Sequence, residues 1–287
     1  MPELPEVETI RLGLEKYVIG HIIQDVEIRD KKIFQGDKNL ILGATIIGVR
    51  RVGKGLILDL SNEYSLAIHI KLTGQLVYRG KETEKIVVSA QKVGFIPGKF
   101  THVVFDLDKD AKLYYNDMRR FGWIKIIKTD DVFTLPFFKE MGPEPFANKL
   151  GSGQADLSLN VFAKIVSSAK TKIKPLLMDQ RKIGGIGNIY ANDALYKAEI
   201  NPMRIANSLS KAEIRKLYDA ILSVMKLSLE NGGASELSFV NVLGQEGGYQ
   251  NHTLAYGKKG KCPRCGGKFQ FARIGGRGTY FCAGCQK

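Results

Sequence analysis

The sequence predicts an α+β chain of two domains, on three observations. An amphipathic N-terminal helix is followed, over residues 21–128, by short β-branched runs broken by Gly, Asn and Asp. The pattern then turns helical, and all four cysteines fall near the C-terminus in two Cys-x-x-Cys pairs. These textures divide the chain into an N-terminal β domain (1–130), a hinge (131–153), a helical domain (154–251) and a cysteine hairpin (252–287). A chain of 287 residues is long enough to bury two cores.

In order, Val7, Ile10, Leu14, Tyr17 and Val18 share one helical face. Residues 45–52, 55–61, 64–70, 102–107, 112–116 and 122–128 read as strands of an antiparallel sandwich or barrel, with Asp108-Lys109-Asp110 as a hairpin turn. Breakers then accumulate at Pro136, Gly142-Pro143-Glu144-Pro145 and Gly151-Ser152-Gly153, as expected of an interdomain connection. Helical patterns follow at 159–169, 175–180, 188–198 and 211–230. Ser210 and Glu213 are spaced as a capping box, and Asn231-Gly232-Gly233 closes the last helix. Residues 234–251 are polar and Gly-rich.

The formal charge of +14 points to a polyanionic partner, since Lys and Arg gain by displacing counterions from phosphates; a protein that merely happens to be basic would have the same charge. No apolar run approaches the ~18 residues of a membrane span, and the N-terminus lacks a signal-peptide layout, so a cytoplasmic location is expected.

Cys262 and Cys265, then Cys282 and Cys285, supply four thiolates at the spacing of a zinc ribbon. Four protein ligands leave no position for water, which makes one Zn2+ structural and excludes a zinc-dependent hydrolase. Residues 247–287 hold eight Lys or Arg and no Asp or Glu, which favours a phosphate-facing hairpin over a protein-binding one. Arg277, flanked by Gly275-Gly276 and Gly278, sits where such a hairpin turns.

Three further stretches carry chemistry. In residues 182–190, Gly184, Gly185 and Gly187 permit close backbone approach, and Asn188 with the helix amides that follow can hold a phosphate; alone, the stretch also reads as a tight turn. Arg50-Arg51-Val-Gly-Lys54 and Met118-Arg119-Arg120-Phe121 lie at strand edges, where paired cations are either a solvated face or a clamp with an aromatic wedge. His69, in an alternating strand, reads as structural. At the N-terminus, removal of Met1 would leave Pro2 as a secondary amine, a nucleophile able to form an iminium, with Glu3 and Glu6 as proton donor and positioning carboxylate. Taken alone, these residues read first as a helix start.

The ordered set of Pro2-Glu-Leu-Pro-Glu-Val-Glu-Thr9, Lys54, Asp117-Met-Arg-Arg-Phe-Gly122, Gly142-Pro-Glu-Pro145, Lys174-Pro-Leu-Leu-Met-Asp179, Gly185-Ile-Gly-Asn-Ile-Tyr-Ala191 and the four cysteines closely resembles bacterial formamidopyrimidine-DNA glycosylases, essentially end to end. The resemblance implies a β-sandwich catalytic domain, a helix–two-turn–helix domain and a zinc-ribbon hairpin, monomeric and nucleoid-associated. It also implies excision of oxidised purines from duplex DNA, and strand cleavage at abasic sites, on a nucleotide flipped into a cleft between the domains. On that resemblance Pro2 attacks the sugar, Glu3 protonates its ring oxygen, Glu6 orients the N-terminus, and Lys54 contacts the phosphate beside the lesion. Asn188 and Arg277 are further phosphate ligands, and Lys170 falls near a lysine of damaged-base handling. Arg119 and Phe121 fill the gap left by the flipped base, with Arg120 beside them. Two positions depart from the family: Leu72 stands where Met is usual, and Met118 where Pro is usual. Residues 235–250 occupy the place of the lesion-capping loop. The neighbouring alternatives are an endonuclease VIII-type enzyme for oxidised pyrimidines and a non-catalytic zinc-containing nucleic-acid-binding protein.

Overall fold

The computed structural model describes residues 2–147 and 154–287, so Met1 and the expected Gly151-Ser152-Gly153 connection lie outside the described residues. The chain forms two compact units, one of Met1–Lys139 with Leu229–Gln250, the other of Glu140–Ser228 with Asn251–Lys287.

The first unit opens with helix α1 (Leu4–Val18), whose Val7, Ile10, Leu14 and Val18 are fully buried. Two sheets follow. Strands β1 (Ile23–Ile28), β7 (Thr101–Leu107), β8 (Lys112–Asp117) and β6 (Gly74–Arg79) pair in that order. The second sheet runs β2 (Phe34–Gln35), β9 (Trp123–Lys128), β5 (Tyr64–His69), β4 (Gly55–Leu60) and β3 (Ile46–Val52). Residues of both sheets and α1 share one apolar core, as a sandwich requires. All pairs are antiparallel except β2 with β9, a two-residue parallel addition at the sheet edge. The predicted turn at residues 108–110 joins β7 to β8, with Lys109 and Asp110 at positive φ. Strands β1 and β6, which the sequence reading does not single out, complete the first sheet. The run of β1 is interleaved with polar residues and that of β6 has only three apolar residues in a row, so their cross-strand partners specify them.

Three boundaries differ from the sequence reading. Residues 131–139 are not a free hinge: helix α2 (Pro136–Lys139) presses Phe137 and Phe138 onto the β3–β4 hairpin, so closely that a Cβ at Gly55 would meet their rings at 2.6 and 2.8 Å. The Gly-rich segment assigned to the helical domain packs in the first unit instead, where Phe239 and Val242 enter the core. The absence of a side chain at Gly13 makes this possible, since a Cβ there would lie 2.3 Å from Val242. The cysteine hairpin, in turn, belongs to the same unit as the helices.

The second unit contains α3 (Leu159–Ser168), α4 (Ile173–Met178), α5 (Asn188–Lys197) and most of α6 (Lys211–Glu230), then the hairpin β10 (Gln270–Ile274) and β11 (Arg277–Phe281). The Ser210–Glu213 capping box forms in both directions, at 2.7 and 3.3 Å. Among the described residues no helix is long and apolar enough to cross a membrane.

A buried ion pair ties α1 to β3: Arg51 Nε donates to Glu8 Oε2 at 2.8 Å, with both side chains fully buried. Removing one partner strands a buried charge, so Glu8→Ala should lose about 3–5 kcal/mol in urea unfolding, and a Glu8→Gln/Arg51→Met double variant should recover much of it. His69 accepts a hydrogen bond at Nδ1 from the Lys71 amide, and burial, aided by the Lys71 and Lys54 charges, pushes its pKa down to about 3. Its pKa in the unfolded chain is about 6.5, so the unfolded chain takes up a proton between those values while the folded one does not. Stability should therefore fall by roughly 2–3 kcal/mol as pH drops from 7 to about 4.5, and His69→Gln should flatten that slope.

Candidate active site and nucleic-acid interface

The first residues of α1 are held from two sides. Glu3 is the N-cap and is buried, as is Pro2 before it. The Glu3 amide donates to Glu6 Oε2 at 2.7 Å, closing a capping box. The other Glu6 oxygen accepts the Ala234 amide at 2.8 Å. Gly233, at φ +86°, makes the close approach possible: a Cβ there would lie 3.0 Å from Glu6 Cγ. One carboxylate thus fixes the backbone beside Pro2 against a segment more than two hundred residues away in sequence. Acids in this first turn also meet the positive end of the helix. The helix-start reading of these residues is thus what the geometry shows.

Lys54 is buried in the two-residue turn between β3 and β4, following Gly53 at φ +57°. Arg51, whose Nη1 donates to Gly53 O at 2.9 Å, carries the Glu8 contact into that turn. The helix that follows Pro2 and the hairpin bearing Lys54 are therefore joined through Glu8 and Arg51. Of the Arg50-Arg51 pair noted in the sequence, Arg51 is thus a buried brace, while Arg50 forms a two-pronged pair with Asp59 at 2.6 Å. His69 packs edge-on against Phe137 at 4.5 Å, in keeping with a structural role.

Leu72, Arg119 and Phe121 lie on two loops gathered by one buried acid. Asp117 Oδ1 accepts from Thr73 Oγ1 at 2.5 Å and from the Arg119 amide at 3.1 Å, and Oδ2 accepts the Gly122 amide at 2.8 Å. The Arg119 amide also donates to Thr73 Oγ1, so the Leu72 loop and the Arg119–Phe121 loop are cross-bonded. Phe121 is half-exposed, with the Arg119 guanidinium 4.7 Å from its ring centre. Arg120, at φ +56°, turns to Asp30 at 2.6 Å and holds that carboxyl below the usual range. Met118 is exposed, as a residue without a core role would be.

Residues 235–250 are supported by β6 and by the connection from β6 to β7. Lys92 Nζ donates to the carbonyls of Ser235 and, at 2.8 Å, Leu237; Gln75 Nε2 donates to Ser238 O at 2.6 Å; Ser89 Oγ donates to Glu246 at 2.8 Å. None of these supporting residues stands out in the sequence. Glu8 and Asp117 fall within the quoted motifs, but they, Gln75 and Lys92 serve through partners distant in the chain, for which no local signal exists.

In the second unit Asn188 is the first residue of α5, after Gly187 as N-cap. The Gly-rich turn before it is stapled by Gln180, whose Oε1 accepts the Gly185 amide while Nε2 donates to Ile186 O. Gly142 and Gly184 interlock with this turn, the Gly184 amide donating to Pro143 O at 2.9 Å. Ile274 pairs with Arg277 around Gly275 and Gly276, both at positive φ, so Arg277 is the first residue beyond a two-glycine hairpin turn. Asn192 connects the two phosphate-ligand candidates: it donates to Asn188 O at 2.6 Å and accepts the Tyr280 amide of β11 at 2.7 Å. Buried Lys174 adds bonds to Gly278 O and Thr279 Oγ1 at 2.9 and 2.7 Å. Lys170 stands exposed on the α3–α4 connection, which pairs with residues 206 and 207 rather than with this cluster.

The four cysteine sulfurs lie within 4.8 Å of one another, with Cys262–Cys285 at 3.7 Å and Cys265–Cys282 at 3.5 Å. Tetrahedral Zn–S bonds of about 2.3 Å imply sulfur separations of about 3.8 Å, so the donor set fits zinc. The Tyr196 hydroxyl lies 3.2 Å from Cys262 Sγ, an outer contact of the kind that orients a ligand.

Comparison with known proteins accounts for both units. The formamidopyrimidine-DNA glycosylase N-terminal domain matches residues 1–124, the H2TH domain of the same enzymes residues 141–239, and the zinc finger found in FPG and IleRS residues 259–287. A formamidopyrimidine-DNA glycosylase of Pelotomaculum thermopropionicum is 38% identical over 100% of this chain and 99% of its own. A point mutant of Lactococcus lactis FPG in complex with Fapy-dG containing DNA superposes with a TM-score of 0.85 at 32% identity, covering 100% of both chains. The same bacterium's FPG bound to oxidised-pyrimidine containing DNA gives 0.84 at 33%, again over 100% of both. With three domain matches in order and relatives aligned from end to end, the chain belongs to the formamidopyrimidine-DNA glycosylase family.

Proposed function

We propose that this protein is a bifunctional DNA glycosylase and AP lyase that removes oxidised purines, formamidopyrimidines and 8-oxoguanine, from duplex DNA. The observation that carries the reading is the Glu6 carboxylate, which binds the Glu3 amide and so presets the backbone at Pro2. Once Met1 is removed, the Pro2 nitrogen attacks C1′ of the damaged nucleotide and the C1′–base bond breaks. Glu3 protonates the sugar ring oxygen, the ring opens, and an iminium links Pro2 to the sugar. The iminium acidifies the 2′ proton. Loss of that proton expels the 3′ phosphate, and a second elimination expels the 5′ phosphate, leaving a one-nucleotide gap.

Lys54 contacts the phosphate beside the lesion. Arg119 and Phe121 enter the duplex with Leu72, whose volume helps fill the gap left by the flipped base, while Arg120 braces their loop through Asp30. In the second unit Asn188 and Arg277 hold phosphates, and Lys170 approaches the damaged base. The zinc supplies no chemistry; held by Cys262, Cys265, Cys282 and Cys285, it keeps the Arg277 hairpin folded. The working form is a monomer in the bacterial cytoplasm, at the nucleoid. Oxidised pyrimidines are a second substrate class, favoured by the Lactococcus lactis FPG complex with such DNA.

Borohydride reduction during turnover of an 8-oxoguanine duplex should trap a protein–DNA crosslink. Pro2→Gly should abolish the trap, and Glu3→Gln should slow excision by roughly 10²–10⁴-fold. Tight binding with no crosslink on either lesion or abasic DNA, from protein whose intact mass lacks Met1, would reject the enzyme in favour of a binding protein. Metal analysis should find one zinc per chain. Chelation should abolish DNA binding while leaving the first unit's unfolding transition in place; DNA binding that survives complete zinc removal would contradict the hairpin's role.

A further inference from the structure

One face of the zinc hairpin carries side chains that the mechanism above does not use. The register pairs Phe271 with Tyr280 and Arg273 with Gly278, so these four share a face. On the other face Ile274, Thr279 and Phe281 are buried. Phe271, by contrast, is 60% exposed. Its ring leans over Gly278, where a Cβ would come within 3.1 Å of it. The Tyr280 ring lies 5.2 Å from Phe271, and Tyr256 meets Tyr280 edge-on at 5.7 Å. Beside these rings opens a cavity of about 540 Å³ lined by Lys258, Lys259, Lys268, Phe271 and Tyr280. The surrounding stretch, residues 247–287, contains no acidic residue. The platform is also anchored: the Tyr280 amide is bonded to Asn192, and Lys174 holds the carbonyl of Gly278.

An exposed Phe271 ring, backed by half-buried Tyr280 and bordered by ammonium groups, matches one ligand chemistry closely. In a duplex the base faces are hidden in the stack, so only the lysines would gain from it. Unpaired nucleotides offer bases to the rings and phosphates to the lysines together. We propose that this face is a second nucleic-acid site, selective for single-stranded DNA, in which a base stacks on Phe271 and flanking phosphates lie against Lys258 and Lys259. The site is separate from the Arg277 tip; only the choice of DNA over RNA rests on the function proposed above.

The test uses the full zinc-loaded chain saturated with unlabelled, undamaged blunt duplex, so that the duplex contacts are occupied. A labelled oligo-dT of about 20 nucleotides, longer than common single-strand sites, is titrated by fluorescence anisotropy. Wild type should bind it. Phe271→Ala should weaken binding roughly tenfold or more, Phe271→Leu should weaken it similarly, and Phe271→Trp should retain it. Lys258→Ala/Lys259→Ala should lower the slope of log affinity against log salt by about 1.4. Zinc content, melting and lesion excision from blunt duplex should stay at wild-type values in all four. Wild-type affinity in Phe271→Ala or Phe271→Leu, or no oligo-dT binding by wild type, would overturn the site. Absence of excision by wild type would instead refute the proposed function and leave the oligo-dT result standing.

Discussion

Much of the first unit depends on what one carboxylate binds. Glu6 has two oxygens, and each takes a backbone amide, Glu3 on one side and Ala234 on the other. A buried carboxylate without such partners would incur a desolvation cost of several kcal/mol, so the two amides are what allow it to be there. In return it fixes the start of α1 and requires the segment around Gly233 to run beside it. That segment then delivers Phe239 and Val242 to the core, where the Tyr78 amide bonds Val242 O at 2.7 Å. Positioning of the N-terminus and completion of the core are thus the same event.

The same economy recurs with other buried polar groups. Arg51 joins α1 to the Lys54 turn, Asp117 joins the Leu72 loop to the Arg119–Phe121 loop, and Asn192 joins Asn188 to the strand of Arg277. Each sits between two elements that carry candidate site residues, and each is bonded to backbone on at least one side, with Glu8 completing Arg51 and the Thr73 hydroxyl completing Asp117. Apolar packing could hold the elements together but would not fix their register, because dispersion contacts are non-directional. Directional bonds to backbone do fix it. The loop of Arg119 and Phe121 thus has its backbone held by Asp117 and Thr73 while the Phe121 ring stands half-exposed.

The zinc hairpin follows this logic with a metal in place of a core. Its strands are five residues each, too few to be stable alone, and its rigidity comes from the cysteine cluster at one end and from Lys174 and Asn192 along its length. The buried strand face is consumed by that anchoring. What remains outward is a surface of aromatic and basic side chains, whose cost in exposed apolar area is consistent with use rather than accident.

Local chemistry was legible in the sequence wherever residue type and spacing suffice. The cysteine spacing announced a tetrahedral thiolate site, the Ser210–Glu213 spacing a helix cap, the two glycines before Arg277 a tight hairpin turn, and the strong β-branched runs most strands of the sandwich. The ordered motifs also carried the family. Pairing across the chain was not legible, because nothing in a residue's neighbours in sequence states which distant amide will meet it. Thus β1 and β6 were visible only once their partners were in place, and residues 234–251, polar and Gly-rich, gave no sign that Phe239 and Val242 would close a core begun by α1. The sequence by itself determined which groups lie close along the chain: carboxylates beside Pro2, thiols at metal spacing, cations beside aromatics. Only the tertiary structure decided which of them are held in place, because that depends on buried hydrogen bonds such as Glu6 to Ala234, whose partners come together only on folding.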